Sequence, residues 1–203
     1  MHCIRLRNDF PYAITVMLHF IETSHYVFDQ QAFAKFPLLT TLDFHIHIYL
    51  VGSKYGISAL QDCAMNAYLS TAEHEINSGL FALAGGQLSN IQVAVPGFSV
   101  MAPTAGHDDG ELTMMPIDRF LNSLVLLWKN TQSRYDAMRK AVLELIKHDL
   151  NRLLRVPFFV TLMQEMAGFG HDVVASLGDD GLEVKAFQIH AGARQDQTIR
   201  FGV

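Results

Sequence analysis

The stretch at residues 138–154, MRKAVLELIKHDLNRLL, decides the fold class of this 203-residue chain. Its apolar side chains recur every three or four residues over about four turns, the spacing that places them on one face of an α-helix. The members of this stripe are Met138, Ala141, Val142, Leu145, Ile146, Leu150, Leu153 and Leu154. Lys140 lies four residues before Glu144, and Arg152 lies where the helix dipole favours a positive charge. We therefore predict a long helix that is ended by Pro157.

Two further helices are predicted, one before this helix and one after it. Pro116 opens a helix that runs through Trp128, and another helix follows Pro157. The inward residues are Phe120, Leu121, Leu124 and Leu127 in the first, and Phe159, Leu162, Met163 and Met166 in the second. We therefore predict a C-terminal three-helix unit over residues 116–177, followed by a weakly strand-like or disordered tail over 178–203.

The chain before this unit predicts a short strand and a first helix. Ile4 and Leu6 alternate with arginines, which indicates a strand. Asn8 or Asp9 can cap the helix that follows, and a proline lies in its first turn. The predicted apolar stripe of this helix is Ala13, Ile14, Met17, Leu18 and Ile21.

Two more helices are predicted before residue 78. Thr40 or Thr41 can cap the second helix, which spans 42–55 and ends before a glycine suited to the left-handed conformation. Ser58 and Gln61 match the capping box of a third helix. Its predicted stripe, flanked by Tyr68, is Leu60, Cys63, Ala64, Ala67 and Thr71.

The distribution of charge divides the chain. Residues 1–77 carry four basic and seven acidic side chains, and residues 116–177 carry eight basic and six acidic ones. Residues 78–115 carry no basic and three acidic side chains, together with six glycines and two prolines, a composition typical of a linker. We therefore predict two helical units, 1–77 and 116–177, joined by a flexible linker over 78–115.

The composition limits the class of protein. Apolar residues make up 50% of the chain and charged residues 17%, whereas soluble domains usually carry about 25% charge. This composition excludes a disordered protein and predicts more apolar surface than one small core needs. The net charge of −5 disfavours general electrostatic binding to nucleic acid or membrane lipid.

The cysteines and the absence of targeting patterns bear on the compartment. Two cysteines cannot form a disulfide framework, and they fit a reducing environment. The sequence has no signal-peptide pattern and no apolar run of about 18 residues. We therefore expect an intracellular protein, cytoplasmic or nuclear.

Residues 48–57, IYLVGSKYGI, resemble the helix of BTB/POZ domains that is commonly written V-Y-x-L-A-D-K-Y-x-I. Identical positions are Tyr49, Lys54, Tyr55 and Ile57. Gly52 and Ser53 stand where the family has Ala and Asp. Upstream, DFPYA at 9–13 is similar to the family's D-x-P-x-A, although the family's Tyr-Leu-Tyr triplet is Phe-Ile-Glu at 20–22. Downstream, the segment 120–177 is similar to the helical C-terminal region of many fungal BTB proteins.

The resemblance covers about residues 4–77 and 116–177 and implies part of a BTB/POZ domain. A whole BTB domain begins with strands and helices that, in this chain, would precede Met1. Those elements usually supply dimer contacts and a hydrophobic-x-Glu motif for cullin scaffolds. The expected fold is therefore mostly α: the helical half of a BTB/POZ domain without its N-terminal half, plus the C-terminal three-helix unit.

The resemblance also implies a function. It predicts a non-catalytic protein–protein interaction module, an adaptor that pairs with another BTB chain or presents a client to a cullin-type ubiquitin ligase, as a homo- or hetero-oligomer. The mechanism would be burial of apolar helix faces against a partner. The predicted partner-interface residues on the third helix are Gln61, Asp62, Met65 and Tyr68. We predict no catalytic residue, cofactor or metal ligand, and no direct contact with nucleic acid or membrane.

Three patterns that could carry chemistry each have a simpler structural explanation. On a strand His45 and His47 would share a face, but on the predicted helix they point about 200° apart, so they do not form a chelating pair. GFG at 168–170 lacks the third glycine and the preceding strand of a dinucleotide site, and fits a helix C-terminus. HDD at 107–109 has no nucleophile in a recognisable turn and fits a solvated linker.

The sequence also bears on the environment of three tyrosines and leaves two other classes of function open. Tyr49 is predicted to pack inside with its hydroxyl at the rim, whereas Tyr55 and Tyr68 each fit either the core or an interface. A transcriptional regulator that acts through BTB partners is one alternative, although acidic residues interrupt the basic side chains of the long helix. A small hydrolase or metal enzyme built from the histidines and the acidic loop is the other.

Overall fold

The computed structural model describes residues 9–84 and 114–179. These residues form eight α-helices and contain no strand, so the predicted mostly α fold is confirmed. The helices are α1 (Pro11–Thr23), α2 (Gln30–Lys35), α3 (Thr41–Tyr55), α4 (Ser58–Ala84), α5 (Pro116–Asn130), α6 (Ala137–Leu153), α7 (Pro157–Glu165) and α8 (Ala167–Asp179). Within the described ranges, no helix has both the length and the apolar character needed to cross a bilayer. The predicted strand near residue 4, the HDD loop and most of the tail lie outside these ranges.

The start of α3 is fixed by a complete capping box. The hydroxyl of Thr40 accepts a hydrogen bond from the Asp43 N–H at 3.1 Å, and the Asp43 carboxylate accepts one from the Thr40 N–H at 3.1 Å. Gly56, with φ of 71°, ends the helix in the left-handed conformation. Both ends of α3 were therefore predictable from the sequence.

The start of α1 differs from its prediction. The N-cap is Phe10, which offers no side-chain acceptor. The carboxylate of Asp9 instead accepts hydrogen bonds from the Lys54 ammonium and the Tyr55 hydroxyl, each at 2.8 Å. Asp9 therefore ties the chain before α1 to the end of α3 and does not cap its own helix.

The core of the first half is the contact of α3 with α4. The residues of α4 that face inward follow an unbroken i, i+4 row: Leu60, Ala64, Tyr68, Ala72, Ile76 and Leu80. The predicted stripe was therefore wrong in part, because Tyr68 belongs to the buried row while Cys63, Ala67 and Thr71 lie beside it, half-buried. The α3 helix buries side chains on most of its circumference, including Phe44, Ile46 and Ile48.

One hydrophobic core runs through both halves of the described chain. The hydroxyls of Tyr68 and Ser123 are 2.7 Å apart and fully buried, and Ser123 also donates to the carbonyl of Phe120 at 2.7 Å. Arg119 of α5 forms a two-point ion pair with Glu75 of α4, with its shorter contact at 2.7 Å. The predicted boundary after residue 77 is corrected, because α4 continues through it to Ala84. The rest of the predicted linker, 85–113, lies outside the described residues.

The end of the second half contains two helices where one was predicted. Met166, with φ of −94° and ψ of 81°, separates α7 from α8. The unit after residue 116 therefore has four helices and not three. The GFG segment opens α8 and does not end a helix, and Phe169 is buried edge-on against Trp128 with ring centroids 4.9 Å apart.

A buried charge network holds α5, α6 and α8 together. Arg139, one of the basic residues of the long helix, is buried and pairs with the equally buried Asp172 at 3.2 Å. Its Nε donates to the Thr131 hydroxyl at 2.6 Å, and the indole N–H of Trp128 donates to Asp172 at 3.0 Å. Because each partner is hydrogen-bonded, the cost of burying these charges is offset.

The contact between α7 and α8 generates a prediction about two nearby glycines. A Cβ on Gly170 would overlap the backbone carbonyl of Met163, whereas a Cβ on Gly168 would meet nothing within 4 Å. We expect Gly170→Ala to lower the free energy of unfolding by about 2 kcal/mol through overpacking. We expect Gly168→Ala to be neutral or to stabilise by up to about 1 kcal/mol, because alanine favours the helix. Urea unfolding followed by circular dichroism measures both, and equal effects would contradict the close approach of the two helices.

Candidate functional site

Exposed apolar side chains are concentrated in one part of the chain. Of nine large hydrophobic residues exposed on the described surface, six lie between positions 18 and 38. We call these six the apolar segment: Leu18, Ile21, Val27, Phe28, Phe36 and Leu38. Single exposed hydrophobics are ordinary, but a cluster in a short stretch marks a candidate interaction surface.

The orientation of α1 explains why part of the segment is exposed. This helix buries Ala13, Val16 and Met17. The predicted stripe placed Leu18 and Ile21 inward, and this is wrong: they are 50% and 60% exposed. Val16 takes the inward position, which turns the other face of the helix to solvent.

Packed aromatic rings support the remainder of the segment. Phe28 stacks on Phe33 with centroids 4.9 Å apart and meets Phe44 edge-on at 5.3 Å. Phe36 meets Phe10 edge-on at 5.4 Å. The inner ring, Phe44, is fully buried, while Phe28 and Phe36 each expose about two-fifths of their surface. The exposed rings are therefore held in place before any partner binds.

A groove of about 420 Å³ adjoins these rings at the start of α3. Phe33, Leu38 and Leu39 line its apolar part, and the Arg119–Glu75 ion pair lies at its polar part. Leu38 is 67% exposed, the highest value in the apolar segment. The groove extends the apolar surface onto the start of the second half, through Met114.

The helix α2 and its aromatic surroundings were not predicted from the sequence. Asp29 caps α2 by accepting a hydrogen bond from the Gln31 N–H at 2.9 Å. Because aspartate is a common N-cap residue, the start of this helix was predictable from the sequence. The helix spans only six residues, however, and buries a single one, Ala32. Periodicity is therefore too weak over this length to predict it.

The predicted interface residues on α4 fall in different environments. Asp62 is exposed, and Gln61 and Met65 are half-buried at the surface. The predicted interface role of Tyr68 is corrected, because its side chain is enclosed in the core. Burial raises the pKa of its hydroxyl. The interface assignment of Gln61, Asp62 and Met65 stays a prediction.

The two histidines of α3, His45 and His47, contact aromatic side chains of the same fold. The ring of His45 is buried, and its Nδ1 lies 2.6 Å from the Tyr26 hydroxyl, in hydrogen-bond contact. Burial lowers the pKa of His45 to about 4 and also lowers the pKa of His47, which stacks on Phe10 at 4.7 Å. Their predicted placement on a helix is confirmed. Among the residues with described side chains, no group of three or more His, Cys, Asp or Glu is arranged to hold a metal ion.

A second groove, of about 510 Å³, lies between the end of α3 and the loop that joins α5 to α6. Leu50, Ser53 and Lys54 line one side, and the residues from Asn130 to Ser133 line the other. We call it the polar groove. It is larger than the groove at the start of α3, and its walls carry mostly hydrogen-bonding groups.

Tyr49 and Asp136 join the two walls of the polar groove. The Tyr49 hydroxyl lies 3.1 Å from both carboxylate oxygens of Asp136, and the same carboxylate caps α6 by accepting from the N–H groups of Met138 and Arg139. Burial and the Asp136 charge raise the pKa of Tyr49 to about 12. The prediction that Tyr49 packs inside is confirmed, since its side chain is buried, and Tyr55 is half-buried.

Comparisons with models of protein families, with curated proteins and with solved structures find no match to this chain.

The buried His45 generates a prediction about pH. Its pKa is lower in the folded protein, about 4, than the 6.5 of an ordinary histidine, so the unfolded chain takes up the proton more readily. The stability contributed by neutral His45 is therefore complete above about pH 6.5 and is lost as the pH falls toward 4. Between pH 7 and pH 5 we expect His45 to account for a loss on the order of 2 kcal/mol in the free energy of unfolding.

Urea unfolding at several pH values checks this dependence. The variant His45→Gln should show a shallower decline than the wild type between pH 7 and pH 5. His74, which is exposed on α4, provides the control, and His74→Gln should keep the wild-type slope. An unchanged slope in His45→Gln would mean that His45 is not buried in its neutral form.

Proposed function

We propose that this protein is a non-catalytic protein–protein interaction module that binds a partner through the apolar segment. The observation that carries the proposal is the concentration of exposed hydrophobic side chains between residues 18 and 38, whereas most other large apolar residues with described side chains are enclosed. Burying one such side chain contributes about 1.5–3 kcal/mol when it is fully removed from water. The six side chains of the apolar segment are 39–67% exposed, so a partner that covers them removes that part of their surface from water.

The packing beneath the segment supports the same proposal. Phe28 and Phe36 already rest on fixed rings, so a partner does not have to order them on binding. Preorganised side chains lower the entropic cost of association. Aromatic residues are also the type enriched at the centres of protein interfaces.

The resemblance to BTB/POZ proteins extends the proposal to a kind of partner. It supports an adaptor, of fungal type, that pairs with another BTB chain or with a cullin-type scaffold of a ubiquitin ligase, in the cytoplasm or nucleus. On α4, Gln61, Asp62 and Met65 reach the surface within little more than one turn and would contribute to such a contact. The adaptor would act by holding two proteins together and would carry out no bond chemistry.

Substitutions in the apolar segment test the module itself. We expect the purified wild-type protein to self-associate with rising concentration and to bind an apolar fluorescent dye, because its apolar segment lacks a partner. The double variant Phe36→Ser/Leu38→Ser should reduce both effects while keeping its helical circular dichroism. Val174, which is 41% exposed on α8, gives the matched control Val174→Ser, which should behave as the wild type. Static light scattering measures association, and a wild-type protein that stays monomeric without binding the dye would contradict the proposal.

Direct binding measurements test the BTB-type partner separately. We expect the protein to bind a purified BTB domain or the N-terminal domain of a cullin scaffold in surface plasmon resonance. Asp62→Ala/Met65→Ala should weaken that binding by at least about tenfold, as for interface residues near the centre of a contact. Glu73→Ala/His74→Ala, at exposed positions further along α4, should leave it unchanged. If neither protein binds, the adaptor assignment fails even where the apolar segment drives association.

A further inference from the structure

The loop that forms one wall of the polar groove also carries an exposed aromatic side chain beside two cations. Tyr135 is 65% exposed. The guanidinium carbon of Arg134 lies 4.8 Å from the centroid of its ring, and the ammonium nitrogen of Lys140 lies 5.2 Å from it. Both distances are within the range of cation–π contacts. We call these three residues the basic–aromatic patch.

The two cations of the patch differ from most others in this half of the chain. Arg119 pairs with Glu75, Arg139 with Asp172, and Arg152 with Asp149, at distances between 2.7 and 3.2 Å. Neither Arg134 nor Lys140 has a carboxylate of the described chain within 4.0 Å. Their positive charge is therefore available to an acidic group from outside.

The polar groove beside the patch has hydrogen-bonding capacity left over. The side chains of Ser53 and Gln132 line it, and the amide oxygen of Asn130 remains an acceptor after its nitrogen donates to the Leu126 carbonyl. Groups of this kind match the N–H and C=O groups of an extended polypeptide. The groove volume, about 510 Å³, falls within the roughly 300–1,000 Å³ usual for ligand sites.

The carboxylates at the groove are already satisfied within the chain. Asp9 is held by Lys54 and Tyr55, and Asp136 accepts from Tyr49 and from the first turn of α6. Asp62 also acts on Tyr49 by its charge, so the charges at the groove are Asp9, Asp62 and Asp136 against Lys54 and the two cations of the patch, a net charge of zero. The groove region is therefore less negative than the chain as a whole, whose net charge is −5, and its positive charge lies at Arg134 and Lys140.

We propose that the polar groove and the basic–aromatic patch together form a second binding site, which takes an acidic segment of a partner protein. The segment would lie along the groove through backbone hydrogen bonds and place carboxylates against Arg134 and Lys140. A nucleic acid fits less well, because the whole chain would repel a long polyanion while only the short patch attracts it.

The position of this site leaves the apolar segment free. The polar groove touches α3 at residues 49–54, and the groove of about 420 Å³ that adjoins the apolar segment touches α3 at residues 41–42. At 1.5 Å per residue these positions are about 15 Å apart along the helix. The second site does not depend on the function proposed for the apolar segment, and it would let the protein hold two segments at once.

Fluorescence anisotropy with a labelled ten-residue polyglutamate peptide tests the site. We expect saturable binding that weakens as the salt concentration rises from 50 to 200 mM, because dissolved ions screen the attraction between the peptide and the two cations. A glycine–serine peptide of equal length should bind much more weakly. Arg134→Glu/Lys140→Glu should weaken polyglutamate binding by at least about tenfold, because charge reversal replaces attraction with repulsion.

A matched variant separates the site from the net charge of the protein. Lys35→Glu/Arg155→Glu makes the same change in charge at two exposed positions outside the patch and should keep the affinity within about twofold of the wild type. Circular dichroism confirms that both variants are folded. Equal losses in the two variants, or the absence of saturable binding by the wild type, would overturn the site. Oligothymidylate binding as tightly as polyglutamate would overturn the assignment to an acidic protein segment.

Discussion

The hydrogen bond between the Tyr68 and Ser123 hydroxyls lies where the two halves of the chain meet, and it fixes how they pack. The two oxygens are 2.7 Å apart and have no exposure to solvent. A buried hydroxyl without a partner costs about 1–3 kcal/mol, so α4 and α5 are held in the register that pairs them. In that register the inward row of α4 meets α5, and α3 packs against both. Most of the described apolar side chains of α3 to α8 are thereby enclosed, which leaves the apolar segment as the main hydrophobic surface of the described residues.

Much of the fold could be predicted from local signals. The N-cap at Thr40 or Thr41 and the long period of α6 predicted the correct helices, because both signals depend on residues within a few positions of one another. The burial of Arg139 could not be predicted in this way, because its partner Asp172 is 33 residues away on another helix. The break at Met166 was also missed, since an apolar stripe continues across it in the sequence.

The composition predicted that apolar surface would be exposed, but it did not predict which residues would form that surface. The composition, with 50% apolar and 17% charged residues, predicted more apolar surface than one core needs. Its location depends on Val16 rather than Leu18 facing inward, and on rings from three separate segments meeting around Phe44. Tyr68 shows the same limit, since a tyrosine suits both an interface and a core, and only the contact with Ser123 decides between them.

Cooperative unfolding of the two halves is the most direct test of a single shared core. The only tryptophan, Trp128, lies in α5 and reports on the second half by its fluorescence, whereas circular dichroism reports on all helices. Tyr68→Phe removes one buried hydrogen bond from α4, at a cost of about 1 kcal/mol. We predict a single urea transition in which both signals shift to lower midpoints together, while Tyr135→Phe at an exposed position shifts neither. A Trp128 transition that does not move with Tyr68→Phe, or two separate transitions in the wild type, would contradict the account.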